Sequence, residues 1–301
     1  MSANGAFEHR TVMLREVVEA LSPRSGGVYA DATLGGGGHA EAILEASAPD
    51  GRLIGIDRDP RALDAARGRL SPFGARATLV HGEMREIRPL LEAASVPRVD
   101  GLLADLGVSS PQLDDADRGF SFAHDGPLDM RMDTTRGETA VELIARLSET
   151  DLADLIYRLG EERRSRPIAR SIHRALEAGE LETTANLRRA VVRVTGPRRG
   201  RADPATRTFQ ALRIAVNGEL DQLEALLAEA PDVLEDDGIA VVISFHSLED
   251  RLVKHAFRGD ARLSPLTKRP QVPSDEERAD NRRARSAKLR AARRVPREEA
   301  A

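Results

Sequence analysis

Three aspartates and a run of glycines in this chain are spaced for ligand chemistry. DATLGGGGHA (31–40) places Asp31 where an apolar run ends, then four glycines, then a helical pattern. Glycines there let the backbone turn tightly and approach a ligand, with N–H groups of the first helical turn pointing at it. Asp57 closes LIGID about 20 residues on, where an acid commonly accepts from ribose hydroxyls. A glycine turn beside a helix-capping Asp is the purely structural alternative, but loop and acid together favour a nucleoside-bearing cofactor. Gly35, Gly37 and Ala40 satisfy G-x-G-x-x-[GA], yet a four-glycine run meets that pattern easily and does not select a dinucleotide. No G-K-[ST] follows, which argues against an ATP-type phosphate loop. A strand-end Asp31 ahead of the glycines suits a cofactor bearing an ammonium group and tilts the choice towards S-adenosylmethionine.

Asp105 ends the fourth strand pattern, at the edge where doubly wound sheets bind ligands; capping or turn formation is its structural alternative. The stretch that follows, to Asp133, is rich in Gly, Pro, Ser and Asp and has neither helical nor strand period. A loop that long in a compact domain is functional or disordered. Disorder would expose Phe120, Phe122, Leu128, Met130 and Met132, so an ordered active-site loop is expected. Ser109, Ser110 and Gln112 within it can hydrogen-bond an adenine edge or a substrate base, or simply form turns. SFHSLEDR (244–251) follows the cleanest apolar run; Ser247 with Glu249 and Asp250 reads as a helix cap, and His246 as either cap or substrate-pocket residue. The histidines show no zinc-like spacing, there is no Cys, and no metal site is expected.

The elements that must position these residues alternate over the first hundred positions. Helical patterns at 11–21, 39–48, 60–70 and 87–94 separate strand patterns at 27–31, 52–57, 77–81 and 99–105. Such alternation implies βαβ units and a doubly wound parallel sheet. After the long loop come only helical patterns (140–147, 151–159, 167–178, 184–194, and one long helix from Phe209 to Glu229 ended by Pro231). GIAVVISF (238–245) then returns to strand, a helix follows over 248–257, and 286–295 fits strand or helix. A helical block between two strands reads as an inserted domain; a continuous sheet with missed strands is the alternative.

Charge is unevenly spread. Of 45 Lys/Arg and 49 Asp/Glu in the whole chain, 15 and 7 lie in 251–301, giving a basic tail on an acidic body. Such a tail suggests a polyanion contact or plain solvation. Arg166, Arg170 and Arg174 share a helical face, and Arg163, Arg164, Arg198, Arg199, Arg201 and Arg207 add further positive charge. Together they suggest a phosphate-backbone surface, with a solvated face as the alternative. Aromatic residues are 3%, so base stacking would fall chiefly to Phe120 and Phe122. No apolar run approaches the ~20 residues of a membrane span and no signal peptide is evident, so a soluble cytoplasmic protein is expected.

DATLGGGGHA, IGIDRDP, DLGVSSPQLDDADRGFSFAHDGPLDMRMD, GEERRSRPIAR, PATRTFQALRIAVNGEL, VISFHSLEDR and RARSAKLR together resemble the bacterial RsmH (MraW) family, in order and over nearly the whole chain. That resemblance implies an S-adenosylmethionine-dependent methyltransferase acting on the N4 atom of a cytidine in the decoding region of 16S rRNA. Its partners would be 16S rRNA and the small ribosomal subunit, with no membrane and no DNA. The implied fold is α/β, a methyltransferase sheet (1–113 and 209–301) carrying an inserted all-helical substrate-recognition domain (114–208). By position, the implied cofactor residues are Gly37, Gly38, His39, Asp57, Asp105 and Gln112. Met84 joins them, standing where the family commonly has Phe, and Arg282 stands where it usually has Pro.

An exocyclic amine has its lone pair delocalised into the ring, so transfer to it needs a hydrogen-bond acceptor and in-line positioning rather than a metal. The Asp105 carboxylate and backbone carbonyls of the following loop are candidate acceptors, with Ser109 and the His246 ring secondary. Arg198, Arg199, Arg201 and His246 are candidate substrate contacts. A noncatalytic ribosome-assembly factor and a nicotinamide-dependent oxidoreductase are the competing classes. The glycine loop with Asp57 and Asp105 argues against the first, and the whole-chain resemblance against the second.

Overall fold

The computed structural model of the chain describes residues 11–197 and 203–296. In order they form α1 (Leu14–Leu21), β1 (Val28–Asp31), α2 (Gly38–Ala46), β2 (Arg52–Asp57), α3 (Pro60–Leu70), β3 (Ala77–His81), α4 (Ile87–Ala93) and β4 (Val99–Asp105). Six helices follow without a strand: α5 (Ser110–Asp114), α6 (Ala140–Arg146), α7 (Glu149–Gly160), α8 (Ser165–Glu177), α9 (Thr184–Thr195) and α10 (Thr206–Asn217). The chain then runs through α11 (Glu219–Val233), β5 (Leu234–Ser244), α12 (Ser247–Gly259), β6 (Leu263–Pro265), α13 (Asp275–Asp280) and β7 (Lys288–Arg294). It divides into two compact units, Met1–Gly107 with Leu220–Ala301, and Val108–Glu219.

The first unit is the doubly wound α/β sheet, ordered β3-β2-β1-β4-β5-β7-β6. β1 to β5 are parallel, and β7 runs antiparallel to both its neighbours. Alternate residues of each strand face opposite layers. Ile54, Ile56, Leu102, Ala104, Ala240 and Val242 pack on α4, α11 and α12, while Tyr29, Leu53, Leu103, Val241 and Ile243 pack on α1, α2 and α3. Local chemistry sets the element ends. Pro60 opens α3 because its missing N–H is unneeded there, and the Asp59 side chain caps the helix by accepting from Arg61 N–H at 3.0 Å.

The second unit is helical, with its own core of Leu143, Ile144, Ile156, Ile168, Ile172, Leu187 and Leu212. The sequence reading assigned 108–113 and 209–219 to the α/β domain; instead they belong to this unit, because Phe209, Ala211 and Leu212 bury against that same core. The expected single helix over 209–229 is two. Gly218 takes a left-handed φ of 58° and ends α10, and α11 continues past Pro231 to Val233. The loop after β4 is ordered: Phe120, Leu128, Met130 and Met132 are all buried. Buried Arg118 donates to the carbonyls of Arg131 and Met132 at 3.0 and 2.8 Å. Asn217 completes the arrangement, accepting from Met132 N–H at 2.8 Å and donating to Met130 O at 2.8 Å.

Part of the basic tail is folded into the sheet, while Arg251, Arg258, Lys268, Arg269 and Arg285 stay exposed. β7 adds to the sheet, and Lys288 and Arg290 bind Asp250 at 3.1 and 2.7 Å. Burial alone would push Asp250 up, but Arg290 and Lys288 hold its carboxyl below the usual range. Arg294 pairs with Asp236, and Arg293 with Asp237 at 3.6 Å. Arg282, which replaces the family's usual Pro, lies in a turn that forms without it. No helix among the described residues is long and apolar enough to cross a membrane.

Asn217 is a buried polar anchor of the helical unit. Asn217→Ala leaves a buried N–H and a buried carbonyl unpaired, so urea unfolding is expected to show a loss of about 3 kcal/mol.

Candidate active site

The glycine loop is threaded across the carboxyl ends of three adjacent strands. Ala32 N–H donates to Leu103 O on β4, and Leu34 N–H to Ile56 O on β2, both at 2.9 Å. The Thr33 hydroxyl oxygen accepts from Asp105 N–H at 2.6 Å. Gly35 N–H donates to the Asp57 carboxylate at 2.7 Å, with a φ of 52° that a side chain would strain. Gly37 caps α2 at a φ of 80°, and a Cβ on Gly38 would run into the Thr11 hydroxyl. These contacts fix Asp31, Asp57 and Asp105 at the point where the strand order reverses, between β1 and β4. Ligands of open α/β sheets bind at such a point.

The electrostatics of this edge are unusual. Among the described residues, no Lys or Arg hydrogen-bonds any of the three carboxylates. Asp31 is 1% exposed, and burial pushes it up to about 7, against the pull of His39 and the Thr33 N–H. Burial also raises Asp57, although the N–H groups of Asp59 and Gly35 oppose it. His39 is 6% exposed, with Nε2 3.5 Å from Asp105 Oδ2. Neither ring nitrogen of His39, nor Asp105 Oδ1, has a hydrogen-bond partner among the described residues. Buried polar atoms are nearly always paired, so these mark a site built for a ligand. The charge calls for a cation with hydroxyl donors. It opposes a pyrophosphate, since the amides of Ala32, Leu34 and Gly35 are already given to two carbonyls and a carboxylate.

The sequence profile of the MraW methylase family matches residues 6–295. The chain belongs to that family. A protein of Sorangium cellulosum named ribosomal RNA small subunit methyltransferase H is 65% identical over 289 residues, covering 96% of this chain and 91% of its own length. Proteins of the same name from Synechococcus elongatus and Geobacter sulfurreducens are 51% and 53% identical, covering 98% and 95% of this chain and 97% and 98% of themselves. Among solved structures, a putative rRNA methylase from Clostridium thermocellum aligns with 95% of this chain and 99% of its own, at 11% identity and a TM-score of 0.47.

The cofactor of this methylase is S-adenosylmethionine, and the residues present fit it. Its ammonium and sulfonium charges would suit these carboxylates, and its ribose hydroxyls would suit Asp57. Of the expected cofactor residues, Gly37, Gly38, His39, Asp57, Met84 and Asp105 all lie in the α/β unit. Met84 follows Gly82, whose N–H donates to Asp57 O at 3.1 Å, and it packs on the apolar layer beneath. Gln112 and Ser109 belong to the helical unit, where they form the capping box of α5: Ser109 N–H donates to Gln112 Oε1 at 2.9 Å.

The other methylase residues are placed as follows. His246, not Ser247, caps α12, with Nδ1 accepting from Glu249 N–H at 3.4 Å and Nε2 3.1 Å from Glu249 Oε1. Phe120 is a core residue rather than a stacking platform, whereas Phe122 is half-buried against that core. Phe120 is buried, and the Phe122 ring meets Phe209 edge-on at 4.9 Å. Arg198, Arg199 and Arg201 lie outside the described residues. Sequence reading overlooked Thr33, whose hydroxyl ties β4 to the glycine loop; a Thr two residues after a strand-end Asp was the available signal. It weighed Asp31 only as a pointer to the cofactor, because a lone strand-end acid does not reveal its own burial.

The folded protein holds on Asp31 a proton that the unfolded chain releases above the free value of 3.8. Stability from this group is therefore greatest below about pH 4 and falls as pH rises towards 7, by at most ~1.4 kcal/mol per unit. Asp31→Asn is expected to flatten that slope and to stabilise the cofactor-free protein at neutral pH, as read from urea midpoints across the range. Asp57→Ala removes both the ribose acceptor and the anchor of Gly35. Calorimetry is expected to show S-adenosylmethionine affinity weakened by about 1.5–3 kcal/mol; unchanged affinity in a folded variant removes Asp57 from the cofactor site.

Proposed function

We propose that this methylase transfers a methyl group to the N4 amine of a cytidine in the decoding region of 16S rRNA. Its partner is the small ribosomal subunit. The carrying observation is Asp105: a carboxylate fixed at the strand-order reversal, hydrogen-bonded by no Lys or Arg among the described residues, beside carboxylates suited to a cationic methyl donor. The names of the relatives support a small-subunit rRNA substrate, and the resemblance of the long motifs supports the cytidine N4 atom.

S-adenosylmethionine supplies an electrophilic methyl carbon. The chain's own task is to hold and to accept. Asp31, Asp57 and the first turn of α2 hold the cofactor. The Asp105 carboxylate accepts a hydrogen bond from the target NH₂, which localises the nitrogen lone pair for attack. Ser109 is a second acceptor candidate. Because the acceptor base must be reached, the cytidine is taken single-stranded or extruded from its neighbours. The helical unit serves substrate recognition. Its Arg166, Arg170 and Arg174 project from the exposed face of α8, opposite Ile168, Ala169 and Ile172, and suit phosphate contact.

Mapping methylcytidine in 16S rRNA from cells with and without the gene tests the reading; the modification is expected to vanish in its absence. Retained modification, or a purified protein that binds no S-adenosylmethionine, favours an assembly factor instead. Asp105→Asn keeps the side chain's size but removes its charge. Its single-turnover rate on small-subunit particles is expected to fall ~10²-fold with cofactor affinity little changed. A collapse of cofactor affinity with the saturated rate preserved would make Asp105 a cofactor ligand only.

A further inference from the structure

We propose that His39 is the positioning residue of Asp105: its buried ring orients that carboxylate and takes over the proton that leaves the target amine. The proposal rests on the methyl-transfer reading and adds to it a path for the proton.

The geometry assigns the ring to Asp105 rather than to the cofactor. His39 is the second residue of α2, and the same helix buries Ala40, Ile43 and Leu44 in the layer beneath the sheet. The His39 side chain is 6% exposed, and its Nε2 faces Asp105 Oδ2 at 3.5 Å. That distance lies just beyond a good hydrogen bond, as catalytic contacts commonly do before substrate arrives. Asp105 is 25% exposed while its Oδ1 is sealed from solvent, so the accessible part of the carboxylate carries Oδ2, with the imidazole beside it. The backbone of α2's first turn is left for the cofactor.

Two acidic groups act directly with the ring, Asp105 of β4 at 3.5 Å and Asp31 of β1. On the flanking helices, Arg69 of α3 is engaged by Glu41, and Glu16 of α1 lies by Arg15. Arg58 acts on Asp57 of the neighbouring strand, and the interaction of His39 with Asp31 already registers in the Asp31 titration.

The step balances without a co-reactant. As the amine nitrogen bonds to the methyl carbon, the carbon–sulfur bond breaks and its electron pair stays on sulfur as a neutral thioether. The nitrogen, now positive, gives a proton to Asp105 Oδ2. Oδ2 passes it to neutral His39 Nε2, which restores the carboxylate, and the imidazolium later returns the proton to solvent.

Two measurements test this. In the cofactor-free protein with ¹⁵N-labelled histidine, Asp105→Asn is expected to shift the His39 Nε2 resonance; an unmoved resonance overturns the pairing whatever the substrate proves to be. On small-subunit particles, His39→Gln retains a hydrogen-bond donor but cannot carry the proton. Its S-adenosylmethionine Kd is expected to stay within about threefold of the parent. Its single-turnover rate is expected to fall about tenfold or more and to lose one limb of its pH profile. His39→Leu, which also loses orientation, falls further if it folds, and His39→Gln decides alone if it does not. A weakened Kd with an unchanged saturated rate makes His39 a cofactor ligand and overturns the proposal. If the parent protein methylates nothing while the resonance still shifts, the methyl-transfer reading fails and the pairing stands.

Discussion

Three carboxylates that no Lys or Arg hydrogen-bonds among the described residues, at the ends of three neighbouring strands, are the constraint around which the α/β unit is arranged. Burying ionised acids is costly unless something compensates, and here the compensation within the chain is partial. Asp57 receives two backbone N–H groups, Asp31 one, and Asp105 only a distant imidazole. The remainder is left for a cation. A site that stores this much uncompensated charge loses stability when empty and gains it on binding, which links cofactor affinity to fold stability.

The same contacts that present the acids also close the fold. Thr33 joins the start of the glycine loop to β4, Leu34 joins it to β2, and Gly35 joins it to Asp57. The loop thus acts as a strap over the sheet edge, and its glycines are needed where φ is positive or where Thr11 leaves no room for a side chain. In the helical unit the corresponding constraint is polar and buried. Arg118 and Asn217 satisfy the carbonyls and N–H of 130–132, which lets a loop without regular structure keep its methionines in a core.

Much of this was legible in the sequence. Strand limits at 52–57, 77–81 and 99–105 and helix limits at 60–70 followed from apolar runs bounded by Asp, Gly and Pro, and these signals are local. The glycine run with Asp57 marked a nucleoside site. The length of the motif-bearing stretches, not any single motif, pointed to the family.

Other features were decided only by tertiary structure, because they depend on residues far apart in the chain. The tail's positive charge suggested a polyanion, yet Arg290 and Arg294 are consumed by Asp250 and Asp236, some forty and sixty positions away. Phe120 looked available for stacking until the helical core buried it. The break at Gly218 was hidden by an apolar pattern that continues across it, since periodicity reports burial and not chain direction. The burial of Asp31 and the approach of His39 to Asp105 likewise arise only when β1, β4 and α2 meet. Sequence by itself named the chemical groups and the order of the elements. The sheet decided which of those groups share one edge, because spacing along a chain carries no record of which strand lies beside which.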